Sequence, residues 1–206
     1  FEKYYGVTPC VYTIPVGSLP ELKYPKENRK SFSLITASRL ASEKHVDWIC
    51  KAVIQARSEV PELSLDIYGE GGEKSKLETI IRENNASGYI HLMGQHDLSE
   101  VYQNYEAYIA GSTSEGFGLT LMEAVGGGLP IVGFDVRYGN PTFIRNGENG
   151  YLIPLPEEDK DRIEALRKGI VDLFKQDLEH CHSVSYLVAK DFLTSSVQEK
   201  WREAVC

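Results

Sequence analysis

Two glutamates, Glu115 and Glu123, stand eight positions apart and frame a glycine–phenylalanine–glycine turn that is followed by an apolar run. Ionised carboxylates beside an apolar stretch are costly unless they have partners, so this frame predicts a site that uses both of them. Carboxylate oxygens accept hydrogen bonds well from vicinal hydroxyls, as a ribose or another sugar offers them. The spacing alone leaves a second interpretation open: an ordinary helix with one glutamate near its start and one on its exposed face.

Two cations, Arg39 and Lys44, lie five positions apart in the segment that follows the apolar run 32–37. A guanidinium offers a planar fork that suits phosphate oxygens, and an ammonium adds a point charge. The pair therefore predicts an anion site, with surface cations near Glu43 as the alternative.

Apolar and amphipathic segments alternate from residue 31 onwards, which is typical of a parallel, doubly wound α/β sheet. The predicted strands are 32–37, 63–68, 89–93, 107–110, 129–134 and 151–153. The predicted helices are 49–60, around 77–81, a short one at 98–102, one from about 118, then 140–145, 163–174 and one or two more. Ligands of such sheets bind at the carboxyl ends of the strands, so the cations and the glutamates are expected at one edge.

The turn between the glutamates frees the backbone to bend sharply, and a helix is predicted to begin near Gly118. Its first N–H groups would point at an anion. Glu123 then lies roughly 7–8 Å along the axis, at ~1.5 Å per residue, which is close to the span from a β-phosphate to a ribose. The frame therefore fits a nucleotide-sugar, with Glu123 at the ribose and Glu115 at the group beyond the phosphates.

Three other patterns predict no cofactor and no metal site. The glycine-rich segment 69–72 is not a dinucleotide fingerprint, because Lys74 stands where the third glycine belongs. Asp159-Lys160-Asp161 spells a DxD motif, a pattern that binds a metal in some enzymes, but its charged surroundings favour the solvated start of a helix. His180 and His182 have no further ligand cluster near them in sequence.

The bulk composition limits the possible partners. The 206 residues include 22 basic and 30 acidic side chains, and this balance argues against nucleic-acid binding and against a strongly basic membrane face. No apolar run approaches the ~18 residues of a membrane-spanning helix. Four scattered cysteines predict reduced thiols in a cytoplasmic protein: Cys10, Cys50, Cys181 and Cys206.

The frame of Glu115 and Glu123, with Arg39 and Lys44 on the first turn, resembles the C-terminal domain of the retaining GT-B glycosyltransferases of family 4. The resemblance covers nearly the whole chain, and residues 14–17 are similar to the family's interdomain crossing. It implies a single Rossmann-like domain, the C-terminal half of a GT-B fold. The implied divisions are 1–30 as the crossing and lead-in, 31–194 as the core, and 195–206 as a helix that returns to an N-terminal domain.

The resemblance also implies the role of each residue. Arg39 and Lys44 would hold the donor diphosphate and neutralise the leaving group, Glu115 would contact the donor sugar, and Glu123 would bind the ribose. Gln95 and His96 would contact the uracil. The other implied donor-binding residues are Gly17 in the crossing and Gly116, Phe117, Gly118, Leu119 and Thr120 in the frame. Leaving-group stabilisation would replace a protein nucleophile, so electrostatics would be the main catalytic contribution and no metal would be needed.

Two further segments, 133–140 and 149–154, are similar to a subgroup of bacterial members that modify the cell surface. That subgroup includes accessory-Sec N-acetylglucosaminyltransferases, which act on serine-rich repeat adhesins, and poly(glycerol-phosphate) α-glucosyltransferases of wall teichoic acid. We expect the adhesin activity, with UDP-GlcNAc as the donor and Ser or Thr as the acceptor. The alternative is an α-glycosyltransferase of wall teichoic acid or poly(glycerol-phosphate) that uses UDP-glucose or UDP-GlcNAc. A glycosyltransferase-like partner subunit and a cytoplasmic location, at the inner face of the bacterial membrane, are also expected.

Three other classes of protein stay open. A non-catalytic, glycosyltransferase-like acceptor-binding subunit would tend to lose the glutamates and the cations, whereas this chain keeps all four. A nicotinamide oxidoreductase is disfavoured by the missing third glycine, and a sugar-nucleotide 2-epimerase shares the GT-B plan. A GT-B enzyme has two Rossmann-like domains, so we expect this chain to bind the donor without transferring sugar, and to expose Trp201 and Val205 on its last helix.

Overall fold

A six-stranded parallel sheet forms the centre of the computed structural model, which describes Gly6 and residues 12–205. Its strands are β1 (Ser33–Ala37), β2 (Ser64–Tyr68), β3 (Ile90–Gly94), β4 (Ala107–Ala110), β5 (Ile131–Phe134) and β6 (Gly150–Ile153). Every neighbouring pair is parallel, in the order β3-β2-β1-β4-β5-β6. The doubly wound parallel sheet predicted from the sequence is confirmed.

Helices connect the strands as the alternating pattern predicts. Within the described residues they are α1 (Val46–Ala56), α2 (Lys74–Glu83), α3 (Leu119–Gly126), α4 (Gly139–Phe143), α5 (Asp159–Leu173), α6 (Leu178–Lys190) and α7 (Thr194–Val205). Two single 3-10 turns, Ser42–Lys44 and Tyr102–Asn104, add to them. None of the helices in this part of the chain is long and apolar enough to cross a membrane.

The prediction of a short helix at 98–102 is wrong. Only the 3-10 turn Tyr102–Asn104 forms there. The carboxylate of Asp97 accepts a hydrogen bond from the backbone N–H of Ser99 at 2.9 Å, and this local bond competes with the hydrogen bonds of a helix. Tyr102 is nevertheless buried, so the apolar spacing correctly identified an inward-facing segment.

Both faces of the sheet are covered, which explains why its strands are continuous apolar runs. All five residues of β1 are buried, and successive side chains enter opposite layers. Leu34 packs in the layer that contains α1, α2 and α5, while Ile35 packs in the layer that contains α3 and α6. The sheet is therefore a rigid support for the turns at its edge.

The strand order reverses between β1 and β4, since the chain runs from β1 outwards to β3 and then returns to the other side of β1. Loops that leave two such strands diverge and open a crevice at their carboxyl ends. Arg39 and Lys44 follow β1, and Glu115 follows β4. The topology itself therefore brings the predicted cations and the first glutamate of the frame to one place.

The lead-in segment packs on the C-terminal helices. Leu19 N donates to Phe192 O at 2.7 Å, and Thr194 N donates to Leu19 O at 2.8 Å. Trp201 and Val205 are exposed on α7, as expected. The division of the chain at residues 30 and 194 stays a prediction. Cys50 and Cys181 are buried free thiols, whereas Cys10 and Cys206 lie outside the described residues.

Candidate functional site

Lys44 and Glu115, which the sequence places 71 residues apart, are in direct contact. Lys44 Nζ donates to Glu115 Oε2 at 2.7 Å, and each side chain is only about one fifth exposed (19% and 20%). Lys44 ends the 3-10 turn after β1, while Glu115 lies in the loop after β4. The two groups predicted for phosphate and for sugar thus form an ion pair with each other.

Arg39 lies at the surface with 79% of its side chain exposed, and its Nη2 is 3.2 Å from Glu43 Oε1. This is the surface pairing that was the alternative interpretation for Arg39. The same arginine also lines an open cavity of about 290 Å³, together with Gln95, His96 and Thr120. Four predicted site residues from two different turns and one helix therefore share one hollow.

A smaller cavity adjoins the first. Lys44, Glu115 and Thr120 line it, and Ala37, Ser38 and Thr120 line both cavities. The two hollows are thus continuous along the end of β1. This brings together six predicted residues, with Arg39 and His96 in the open part and the Lys44–Glu115 pair in the enclosed part.

Gly118 caps the N-terminus of α3 in a backbone conformation that favours glycine. Its φ is +87°, and a Cβ built there would lie 2.7 Å from Leu121 Cδ1. The cap residue offers no side-chain hydrogen bond to the helix, so the first N–H groups of α3 stay available to an anion. Gly116 is exposed and has no atom within 4 Å of an added Cβ.

The rest of the frame is fixed by packing. Phe117 packs against the rings of Phe143 and Phe192, at centroid distances of 5.5 and 6.0 Å. A Cβ on Gly17 would lie 2.7 Å from Leu119 Cδ2, so the crossing segment touches the frame directly. Gly17 thus lies beside the predicted site, and its absent side chain lets the segment approach.

A segment after β5 completes the wall around Glu115. Glu115 N donates to Arg137 O at 3.3 Å, and Gly139 N donates to Glu115 O at 3.0 Å. A Cβ on Gly139 would lie 2.6 Å from Glu115 Cγ, so only glycine allows this approach. Tyr138, which the sequence reasoning did not include in the site, stands here with its side chain exposed. Tyr138 belongs to the segment 133–140, whose similarity to the bacterial subgroup could have indicated that it lies at the site.

Tyr108 is a second residue that the sequence reasoning missed. Its hydroxyl donates to Ala37 O at 2.9 Å and lies 3.1 Å from Thr120 Oγ1, joining the end of β1 to the first turn of α3. Complete burial raises the pKa of Tyr108, so the hydroxyl stays protonated. A tyrosine inside the apolar strand 107–110 was the signal, because a buried phenol needs a partner.

Glu123 does not line the cavities that hold the other predicted residues. It faces a separate cavity of about 200 Å³, which meets the first one at Leu98. Tyr102 Oη donates to Glu123 Oε2 at 3.0 Å. Desolvation raises the pKa of the Glu123 carboxyl, although the hydrogen bond from Tyr102 opposes the shift. The single continuous site predicted for both glutamates is thus two hollows with a common wall.

Two of the patterns set aside in the sequence have structural explanations. α5 begins at Asp159, which pairs with Arg162 at 2.8 Å, so this run is the predicted start of a helix. His182 Nε2 lies 2.9 Å from Glu106 O, and burial lowers the pKa of its imidazole. In the part of the chain that the structure describes, no group of three or more His, Cys, Asp or Glu side chains could hold a metal ion.

A protein-family model described as "Glycosyl transferases group 1" matches residues 21–187. A curated relative from Streptococcus agalactiae, "UDP-N-acetylglucosamine--peptide N-acetylglucosaminyltransferase GtfA subunit", is 54% identical over 205 residues. The match covers 98% of this chain and 40% of that protein. The chain therefore spans about two fifths of the length of the curated relatives it matches.

Two solved structures are similar over nearly the whole chain. The pneumococcal O-GlcNAc transferase GtfA in complex with UDP and GlcNAc superposes with a TM-score of 0.91 at 52% identity, covering 96% of this chain and 40% of that one. The GtfA/B complex superposes with a TM-score of 0.90 at 54% identity, covering 99% and 41%. The expected family resemblance and fold are confirmed.

Proposed function

The chain belongs to the group 1 glycosyl transferases, and we propose that it is the donor-binding half of a retaining, UDP-sugar-dependent enzyme. The observation that carries this proposal is the continuous hollow at the reversal of the strand order. It holds two cations and one glutamate beside the N-terminus of α3, where no side chain caps the first N–H groups. Cations and free backbone N–H groups at such a crevice suit a diphosphate.

The chemistry of the hollow is electrostatic. A nucleoside diphosphate that leaves a sugar develops negative charge, and preorganised positive groups stabilise it in a water-poor site. Lys44 is the better placed of the two cations, because its ammonium lies in the enclosed part of the hollow. Arg39 reaches the phosphates from the open part, once it leaves Glu43.

We assign the remaining roles by position. Gln95 and His96 line the far end of the open cavity and suit the uracil, while Thr120 and the first N–H groups of α3 suit the phosphates. Glu115 suits the sugar, since it lies in the enclosed part beyond the phosphates. Glu123 suits the ribose, which would lie near Leu98, where the cavity of Glu123 meets the open cavity.

We further propose that the donor is UDP-GlcNAc and that the acceptor is Ser or Thr of a surface adhesin. The support is the similarity, at about half of all positions, to peptide N-acetylglucosaminyltransferase subunits, which favours a protein acceptor over a teichoic acid. The similarity to a GtfA/B complex supports a glycosyltransferase-like partner subunit. A cytoplasmic location at the inner face of the membrane belongs to the same proposal.

Calorimetry on the 206-residue chain tests the donor site. We expect UDP and UDP-GlcNAc to bind and NAD not to bind. Arg39→Ala is expected to weaken UDP binding, whereas Lys168→Ala, which removes a charge on α5 outside both hollows, is not. Binding of NAD in place of UDP, or equal affinities for UDP in these two variants, would contradict the proposal.

A further inference from the structure

In the cavity of about 200 Å³ that Glu123 lines, the carboxylate of Glu123 is hydrogen-bonded to a neutral side chain and not to a cation. Glu123 projects from α3 into this cavity, where Glu21, Lys23 and Asp97 also line the wall. Lys23 is occupied, because its ammonium pairs with Glu21 at 2.7 Å and with Glu100. The only side chain in the described residues that donates a hydrogen bond to Glu123 is the neutral hydroxyl of Tyr102, at 3.0 Å.

Tyr102 is held firmly against α3. It is 3% exposed, and a Cβ on Gly127, the residue after α3, would lie 2.9 Å from Tyr102 Cβ. Arg29 clamps the same region, because its guanidinium donates to Gln103 O, Tyr105 O and Gly127 O at 2.9 Å each. The clamp ties the 3-10 turn to the end of α3, so the hydroxyl of Tyr102 and the carboxylate of Glu123 are fixed relative to each other.

We propose that Tyr102 is a positioning residue, whose hydroxyl holds one oxygen of the Glu123 carboxylate and leaves the other free to accept hydrogen bonds from a vicinal diol. This inference rests on the proposed function, in which the diol is the ribose of the donor. A carboxylate has about four acceptor positions, so one bond from Tyr102 fixes its plane without exhausting it. Tyr102, which lies outside the glutamate frame, would thus contribute to donor recognition through Glu123.

The electrostatics of the pair support the same role. Desolvation raises the pKa of Glu123 and the charge of Asp97 raises it further, while the hydrogen bond from Tyr102 lowers it. Burial raises the pKa of Tyr102 far above its usual range, so the phenol remains a donor at every working pH. The hydrogen bond from Tyr102 therefore favours the ionised form of Glu123, which accepts hydrogen bonds from hydroxyls, and opposes the desolvation that favours the protonated form.

The test measures binding of UDP and 2′-deoxy-UDP to the 206-residue chain and to Tyr102→Phe between pH 4.5 and 8. Because a hydrogen bond to a charged group is worth about a factor of ten or more, we expect UDP to bind Tyr102→Phe roughly tenfold more weakly. We also expect the loss of binding at acidic pH to move to higher pH, and the penalty for the missing 2′-hydroxyl to shrink.

Tyr105→Phe is the matched control, since Tyr105 also donates to a carboxylate, that of Asp66 at 2.6 Å, and neither of these two residues lines any of the three cavities. Circular dichroism and thermal unfolding of both variants check that the fold is kept. Unchanged UDP affinity and an unchanged acid limb in Tyr102→Phe, with weakened binding in Glu123→Gln, would overturn the positioning role alone. No effect of Glu123→Gln would overturn the ribose assignment and the positioning role together.

Discussion

Replacing Glu115 by glutamine is expected to tighten the binding of UDP while it weakens the selection of the sugar. Lys44 Nζ is 2.7 Å from Glu115 Oε2, so a diphosphate that binds the ammonium has to compete with this carboxylate. Glu115→Gln keeps the size of the side chain and removes the competing charge. Lys44 then becomes available to the phosphates without an exchange of partners.

The size of the effect follows from the burial of the pair. Two unit charges about 4 Å apart attract by ~4 kcal/mol at an effective dielectric constant of 20, before the cost of desolvation. Exposed pairs are worth about 0–1 kcal/mol, and breaking a buried pair costs about 3–5 kcal/mol. With one fifth of each side chain exposed, the Lys44–Glu115 pair falls between these limits. A net value of about 1–1.4 kcal/mol corresponds to a gain in UDP affinity of roughly five- to tenfold.

Calorimetry with UDP and UDP-GlcNAc measures both parts of this prediction, and thermal unfolding measures the loss of the pair. We expect the midpoint to fall by about 2–4 °C per kcal/mol for a chain of this size. Glu43→Gln is the control, because it releases Arg39 from an exposed pair and should change UDP affinity less. UDP binding that is unchanged or weaker in Glu115→Gln would show that Lys44 does not have to leave the carboxylate.

Two further predictions concern stability. Gly118→Ala forces a side chain into φ +87° and against Leu121 Cδ1, so we expect a loss of about 1–3 kcal/mol in urea unfolding; Gly116→Ala, at an open position, should lose much less. Burial lowers the pKa of His182, so the unfolded chain binds a proton more readily than the folded one. Stability is then lost as pH falls below about 6.5. In His182→Asn the urea midpoint should change less with pH between pH 7 and 5 than it does in the parent chain. A steeper dependence in the variant would contradict this.

The sheet could be predicted because its strands are buried on both faces and therefore are plain apolar runs. Strand β4 has the bounds predicted from the sequence, and β1 differs by one residue. The segment 98–102 could not be predicted in the same way. Its apolar spacing suited a helix, but the side chain of Asp97 closes a local turn with Ser99 that the spacing does not reveal.

The site was predicted as a set of residues but not as a set of contacts. Local sequence places Lys44 and Glu115 at the ends of two strands, and the strand order then brings those ends together. That they neutralise each other depends on side-chain positions across 71 residues, which no local pattern contains. Glu123 illustrates the same limit, because its distance along α3 was predicted while the wall at Leu98 was not.

The two glutamates of the frame have different partners, and from this difference we expect an order of events in the proposed donor binding. Glu115 pairs with the ammonium of Lys44, whereas Glu123 accepts a hydrogen bond from the neutral hydroxyl of Tyr102 and has no cation as its partner among the described residues. A diol can therefore engage Glu123 without displacing a cation, while a sugar reaches a free Glu115 only after Lys44 has turned to the phosphates. Uridine, which has the diol and no phosphate, separates the two steps. Its affinity should fall in Glu123→Gln and stay unchanged in Glu115→Gln, and an equal response to both substitutions would mean that the glutamates act as one unit.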